Sequence, residues 1–158
     1  MNKEEFTQKI LAAELSLYRV AKSILHNDED CADAIQNAIL KAWQKRHALR
    51  KREYFKTWLT RIVINECYQI IKESQRYIPM DEYPGWDILS ADAIREESVV
   101  YAELMKLDEK YRVPIVLHDI EGYSVKEIGK ILHLTETNVR NRLSRGKAAL
   151  RTQLEGEV

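Results

Sequence analysis

The stretch LTETNVRNRLSRGKAALR, residues 134–151, decides how the C-terminal part of the chain folds. It carries five basic residues after Glu136 and no further acid, although the whole chain has 25 Lys and Arg against 25 Asp and Glu. An α-helix turns about 100° per residue, so apolar residues three or four apart share one face. One such stripe should face a core and consists of Val139, Leu143, Gly146 and Leu150.

The residues opposite this stripe have the chemistry of a surface that contacts duplex DNA. They are Thr137, Asn141, Ser144, Arg145 and Ala148. An arginine such as Arg145 can pair two-pronged with guanine, and an asparagine such as Asn141 can pair with adenine. The cations on the flanks and farther along can reach phosphates, namely Arg140, Arg142, Lys147 and Arg151. The alternative is a basic surface helix in an ordinary helical bundle.

The segment before this helix predicts a helix-turn-helix. Ser124 and Glu127 have the spacing of a capping box, so a helix should begin there and run over 124–133. A turn at about His133–Leu134 then leads into a helix over 135–153. Gly129 fits this arrangement, because two helices that cross closely need a small residue near their contact.

The composition favours an all-α cytoplasmic protein. Five glycines and three prolines leave little material for β-turns. Cys31 and Cys67 stand alone without a CxxC motif, which argues against disulfides and a zinc site. No apolar run reaches the roughly 18 residues of a membrane span. The N-terminus also lacks the layout of a secretion signal. We therefore expect no metal, cofactor or small-molecule substrate.

Apolar periodicity divides the chain into two small helical domains. In the first, Phe6 to Leu25 predicts one helix, and two more are expected at about 32–45 and 56–74. In the second, helices are expected at about 94–106, 108–120, 124–133 and 135–153. Asp108 should cap the segment 108–120, inside which Pro114 should remove one hydrogen bond or mark a later helix start. The predicted boundaries are 1–76, a flexible acidic linker at 77–94, and 95–158.

Charge is strongly segregated along this neutral chain. Residues 41–76 hold ten cations and three acids, whereas residues 77–109 hold nine acids and two cations. The basic helix follows at 140–151. Two basic patches separated by an acidic stretch indicate two sites for a polyanion, although solvated helix faces would give the same pattern.

The first basic patch has the composition of a site for single-stranded nucleic acid. Four residues of the helix at 56–74 share one face: Arg61, Asn65, Tyr68 and Lys72. An aromatic ring can stack on an exposed base while cations hold phosphates. The preceding loop offers similar chemistry through Arg50, Lys51 and Arg52. A tyrosine at this spacing can equally be half-buried packing.

The helix at 32–45 pairs an apolar face with a polar one. Its core face is expected to consist of Ile35, Ala38, Ile39 and Trp43. Its other stripe is formed by Asp33, Gln36, Asn37, Leu40, Lys41 and Gln44. Leu40 would then be an apolar side chain on a polar face, which is a weak indication of a protein-docking surface.

Together these stretches resemble the extracytoplasmic-function (ECF) sigma factors of the sigma-70 family. DAIQNAILKAW (33–43) resembles region 2.2 of that family. YFKTWLTRIVINECYQIIKESQR (54–76) resembles regions 2.3 and 2.4. LDEKYRVPIVLHDIEGYSVKEIGKILHLTETNVRNRLSRGKAAL (107–150) resembles region 4.

The resemblance implies a role for each surface. The stripe with Leu40 would dock on the β′ clamp helices of RNA polymerase. The residues around Asn65 would bind the −10 element and hold a base flipped from the melted non-template strand. The helix with Arg145 would contact the −35 element, with region 4 near the β flap. It also implies an anti-sigma factor, often anchored in a membrane, that holds the protein inactive.

The sequence departs from the family pattern at several positions. Asn37 stands where family members commonly have Glu, and Asp108 where many have Pro. Gly129 stands where Ala is more frequent, and Pro114 is unusual. The loop at 50–54 is more basic than is typical, which leaves the −10 preference open.

Two other classes of protein remain open at this point. A stand-alone helix-turn-helix regulator would need a dimer and symmetric half-sites, and the sequence shows no heptad seam. An enzyme would need a constellation of catalytic residues. The four histidines are scattered, and neither a glycine-rich phosphate loop nor a nucleophile elbow is present.

Overall fold

A computed structural model describes residues 1–74 and 98–156, and all regular elements in these two ranges are helical. The chain divides into two compact units, Met1–Pro84 and Gly85–Val158. The all-α prediction is therefore confirmed. The predicted linker at 77–94 lies outside the described residues, as do the first residues of the helix predicted at 94–106.

Within residues 1–74 the first unit contains three α-helices. They are α1 (Lys3–Ile24), α2 (Asp28–Gln44) and α3 (Phe55–Ser74), with short 3₁₀ turns at Arg46–Ala48 and Arg52–Tyr54 between α2 and α3. Asparagine side chains cap the first two helices. The Asn2 Oδ1 accepts from the Glu5 amide at 2.8 Å, and the Asn27 Oδ1 accepts from the Asp30 amide at 2.7 Å. The polar stretch HNDED at 26–30 spans the junction of α1 and α2.

Small side chains form the contact face of α2. Cys31, Ala34, Ala38 and Ala42 are fully buried. The expected core face was wrong in part, because Ile35, Ile39 and Trp43 are only half-buried. Since α2 packs against both α1 and α3, a seam of small residues lets the backbones approach closely. The bulkier side chains then lie on either side of that seam.

Over residues 98–156 the second unit contains four α-helices and one π-helical turn. They are α4 (Ser98–Leu104), α5 (Glu109–Ile115), α6 (Val125–Leu132) and α7 (Glu136–Glu155). Asp108 caps α5 as expected, because its Oδ1 accepts from the Lys110 amide at 3.0 Å. Pro114 does not start a new helix. It lies inside α5, and the chain continues into a π-helical turn at Val116–Ile120.

The predicted helix-turn-helix is present in α6 and α7. The capping box of α6 is complete: the Glu127 amide donates to the Ser124 Oγ at 3.1 Å, and the Ser124 amide donates to the Glu127 Oε1 at 2.8 Å. The turn passes through His133, whose φ of 61° and ψ of 47° are left-handed. That conformation ends α6 and redirects the chain into α7.

The small residue at Gly129 serves the turn rather than a crossing of two helices. A Cβ added there would lie 2.8 Å from the Leu134 carbonyl oxygen. The Leu134 amide also donates to the Gly129 carbonyl at 2.9 Å. The reason given from sequence for Gly129 was therefore wrong, because its close neighbour is the backbone of the turn.

The predicted apolar stripe of α7 faces the core of the second unit. Val139, Leu143 and Gly146 are buried, and Leu150 is half-buried. Gly146 meets α5, since an added Cβ would lie 2.9 Å from the Ile115 Cδ1 and 3.0 Å from the Tyr111 Cβ. Near its end, α7 is joined to α4 because the Gln153 Nε2 donates to the Glu103 carbonyl at 2.8 Å.

Candidate nucleic-acid interface

The face of α7 opposite the core is exposed along the whole predicted contact surface. Its exposed side chains are Thr137, Arg140, Asn141, Ser144, Arg145 and Lys147. Arg142 is half-buried on the flank. From Thr137 to Arg151 the helix carries no acidic residue. This face therefore offers donors and cations to solvent, without a carboxylate of its own to repel a phosphate backbone.

An open groove of about 380 Å³ runs beside this face. Its walls come from α7 and from the beginning of α5, and none of the described residues that line it is acidic. The lining residues are Lys110, Tyr111, Thr135, Thr137, Asn138, Asn141, Arg142 and Arg145. Sequence reasoning missed Lys110, Tyr111 and Asn138. The first two lie far from α7 along the chain, and only the contact of α5 with α7 brings them beside Arg142 and Arg145.

Several of the predicted DNA-contacting cations also have partners within the chain. The Lys147 Nζ lies 3.2 Å from the Asp119 Oδ1, and an Arg140 Nη2 lies 3.4 Å from the Glu136 Oε1. Both pairs are exposed, and such pairs contribute only about 0–1 kcal/mol. They can therefore be exchanged for phosphate contacts at little cost.

Arg142 is held differently. Its Nε donates to the Asn138 Oδ1 at 2.9 Å, one helical turn away. This bond uses the Nε and so orients the guanidinium of Arg142, which lines the groove. Asn138 thus acts as a positioning residue for Arg142.

The predicted stripe of α3 is exposed in the first unit. Arg61, Asn65, Tyr68 and Lys72 all lie on the solvent side of α3, and Tyr68 is 38% exposed. The opposite side is buried through Leu59, Val63 and Cys67. Tyr68 is therefore not simply core packing, and the four side chains share one open face.

The basic loop before α3 is held by an aromatic cluster. Phe6 of α1 contacts both Trp43 and Phe55, with ring centroids 5.1 and 5.8 Å apart. The Phe55 and Trp58 rings lie 5.9 Å apart. The Arg46 guanidinium lies 3.7 Å from the centre of the Trp43 ring. Between these anchors, Arg50 and Lys51 remain exposed.

Arg52 is less available than the other two loop cations. Its Nη1 lies 3.1 Å from the Glu5 Oε2 on α1. Sequence reasoning missed this partner because Glu5 is distant along the chain. The pair links the loop to α1, and all three loop cations are exposed.

The stripe on α2 predicted to bind another protein is exposed, except that one member has an internal partner. Asp33, Gln36 and Asn37 are exposed, and Leu40 is 56% exposed. Lys41, which is half-exposed, forms an ion pair with the buried carboxylate of Glu66 on α3. A buried Glu needs such a partner, so Lys41 stabilises the first unit by neutralising Glu66.

Metal and membrane signals are lacking in the described ranges. Residues 1–74 and 98–156 contain no group of three or more His, Cys, Asp or Glu side chains that could hold a metal ion. In the same ranges no helix is long and apolar enough to cross a membrane.

Burial raises the pKa of Cys31 to about 12, so this thiol stays protonated at neutral pH.

Comparison with known proteins decides the family. The model of sigma-70 region 2 matches residues 13–77, and that of sigma-70 region 4 matches residues 98–150. The ECF RNA polymerase sigma factor SigW of Bacillus subtilis is 31% identical over 154 residues, covering 87% of this chain and 82% of SigW. The chain belongs to the ECF sigma factors. Their characteristic regions coincide with the two helical units.

A second relative agrees with this assignment, and two solved structures share the fold. The ECF RNA polymerase sigma factor SigM of Mycobacterium tuberculosis is 29% identical over 137 residues, covering 85% of this chain and 69% of SigM. The sigma factor RpoE of Bartonella quintana, solved in complex with the anti-sigma factor NepR, has a TM-score of 0.75 at 22% identity. That match covers 96% of this chain and 98% of RpoE. CnrH, solved with the cytosolic domain of CnrY, has a TM-score of 0.74 at 25% identity and covers 99% of this chain and 92% of that one.

Proposed function

We propose that this ECF sigma factor directs RNA polymerase to promoters by contacting two DNA elements with its two units. Region 4 contacts the −35 element as duplex. The observation that supports this most directly is the exposed, acid-free face of α7. Arg145 and Asn141 project from it and can reach base edges in the major groove. The flanking cations can hold the phosphates on either side.

Region 2 contacts the −10 element and captures the melted non-template strand. The α3 face supports this role, because Tyr68 offers a ring for stacking and Arg61 and Lys72 offer cations. Asn65 lies between them and can pair with the edge of an unstacked base. The loop cations Arg50, Lys51 and Arg52 add further positive charge for contacts with the DNA phosphates. Opening then needs no catalytic chemistry from this chain, because stacking of about 1–3 kcal/mol per base offsets the lost pairing.

The α2 stripe docks on the β′ clamp helices of the core enzyme. Leu40 is an exposed apolar side chain surrounded by Asp33, Gln36 and Asn37. An apolar centre with a polar rim is the usual layout of a protein interface. Lys41 contributes less to this surface than the sequence suggests, because it neutralises Glu66. Region 4 lies near the β flap in the same assembly.

An anti-sigma factor regulates the protein in the cytoplasm. The Bartonella quintana RpoE structure is a complex with such a factor. A partner of this kind would cover the exposed surfaces of one or both regions and so block polymerase or promoter binding. A membrane anchor on that partner would hold the complex at the membrane.

Reconstitution with core polymerase tests the proposal. Purified full-length protein is added to core enzyme and a library of promoter sequences, and the transcripts are sequenced. We expect a stable complex with the core enzyme and initiation at a small set of related sequences. A protein that forms no complex with the core enzyme and instead binds a palindrome as a stable dimer would be a stand-alone regulator.

A further inference from the structure

The groove between α5 and α7 is lined by a cation from each helix, Lys110 and Arg142. A −35 contact made by α7 alone does not explain the presence of Lys110. We propose that Lys110 and Arg142 together grip one phosphate of the −35 DNA backbone, so that α5 contributes a contact from outside the helix-turn-helix. The inference rests on the proposed function of region 4. It divides the region 4 surface into a phosphate clamp in the groove and base contacts on the exposed face.

The clamp brings together two cations from different helices. Lys110 lies in the first turn of α5, and Arg142 lies in the middle of α7. Both line the groove of about 380 Å³, where the other lining residues within the described ranges are uncharged apart from Arg145. A phosphate there would meet positive charge from two sides and no repelling carboxylate. Two cations on separate elements also fix the register of the helix on the duplex.

The helix backbone positions Lys110 at the groove, and a side-chain hydrogen bond orients Arg142 before any ligand arrives. The Lys110 amide donates to the Asp108 Oδ1 at 3.0 Å, which fixes the first turn of α5. The Lys110 Nζ lies 5.2 Å from the centre of the Tyr111 ring. Arg142 is oriented by its bond of 2.9 Å to Asn138. Binding by Arg142 therefore costs less of the side-chain ordering that flexible cations usually require.

The neighbouring residues separate this clamp from base contacts. Asn141 and Arg145 also border the groove but lie on the exposed face of α7. We place the adjacent DNA backbone at the groove because Asn141 and Arg145, the proposed base contacts, line it. A carboxylate of a protein partner could enter the same groove, but continuity with the DNA-contacting face favours a phosphate.

A salt titration of the full-length protein tests the clamp. Binding to a duplex that carries the selected −35 sequence is measured between about 50 and 200 mM salt. A lost phosphate contact lowers the slope of log K against log salt by about 0.9. Wild-type affinity should therefore fall about 3.5-fold more across this range than that of Lys110→Gln. Arg142→Gln should lower the slope in the same way, and Lys110→Arg should restore it. Lys130→Gln, on the exposed side of α6, is the matched control and should keep the wild-type slope.

Neutral backbone analogues locate the contact. Methylphosphonates replace the phosphates one at a time. At one position the replacement should weaken wild-type binding more than it weakens binding of Lys110→Gln, in which Arg142 alone still holds that phosphate. If Lys110→Gln keeps the full slope while Arg145→Ala loses sequence selectivity, the clamp is wrong and region 4 still contacts the −35 element. An equal effect of Lys130→Gln would also overturn it, because general charge would then suffice. If the wild type shows no −35 selectivity, the proposed function and the clamp fail together.

Discussion

At the scale of single residues, Arg145 carries a prediction about sequence preference. Its side chain is exposed on α7 and bordered by the groove rather than by an acid. Arg145→Ala should cost about 1–3 kcal/mol at one −35 base pair and relax the preference there. Competition binding with single-base variants of the selected site measures this. Arg151→Ala, at the far end of the same face, is the control. A uniform loss across all variants would instead make Arg145 a phosphate contact.

Asn65 carries the corresponding prediction for strand opening. It is exposed on α3 between Arg61 and Tyr68, so its amide can pair with an unstacked base. Asn65→Ala should therefore reduce open-complex formation more than duplex binding. Permanganate reactivity of promoter thymines measures opening, and a gel-shift assay measures binding. Gln69→Ala removes another exposed amide of α3 and should leave both unchanged. If Asn65→Ala opens promoters normally, the base-binding role belongs to another residue.

Cys31 carries a prediction about alkaline stability. Burial raises its pKa from 9.0 to about 12. Above pH 9 the unfolded chain releases this proton while the folded chain keeps it, so the unfolded state binds fewer protons. Stability from the buried thiol is present below pH 9 and is lost between pH 9 and 12, with a slope of up to about 1.4 kcal/mol per pH unit. Urea unfolding across this range should show a shallower decline for Cys31→Ala. Parallel declines in the two proteins would contradict the burial argument.

At the scale of helices, the sequence predicted what depends on local chemistry. The caps at Asp108 and Ser124 are visible because their partners lie two and three residues away. The face of α7 follows from its 3.6-residue period. The contact face of α2 was only partly predictable, because Ala and Cys carry a weak hydrophobic signal beside Ile35 and Ile39. Tertiary packing on two helices, rather than hydrophobicity, selected the small residues.

Gly129 carries a prediction in which local propensity and packing oppose each other. Replacing glycine by alanine inside a helix gains about 1 kcal/mol from propensity. The added Cβ would, however, lie 2.8 Å from the Leu134 carbonyl oxygen, which belongs to the backbone of the turn. Overpacking of this kind costs about 1–3 kcal/mol. Gly129→Ala should therefore lower the free energy of unfolding by about 1 kcal/mol in urea titrations. A Cβ added at Gly156 would have only ordinary contacts at 3.6 Å, so Gly156→Ala is the control and should not destabilise the protein. If Gly129→Ala instead raised the free energy of unfolding, the backbone at Leu134 would have moved to make room for the methyl group.

At the scale of the whole molecule, the net charge of zero does not reveal how unevenly the charges are distributed. The chain is neutral, yet its cations gather on the exposed faces of α3, α7 and the loop before α3. Those faces were predictable because charge and periodicity are local properties. The partners at Asp119, Glu5 and Glu66, and the addition of Lys110 to the groove, were not predictable. Each depends on two helices that meet only after folding.

The two-unit organisation carries the last prediction. The compact units Met1–Pro84 and Gly85–Val158 have separate cores, so each fragment should fold alone with its own cooperative thermal transition. A tether raises the effective concentration of one site near the other to about millimolar for a short flexible connection. Mixed at micromolar concentration, the two fragments should therefore support far less promoter-specific transcription with core enzyme than the intact chain. Full activity from the mixture would show that the two DNA contacts need no covalent connection.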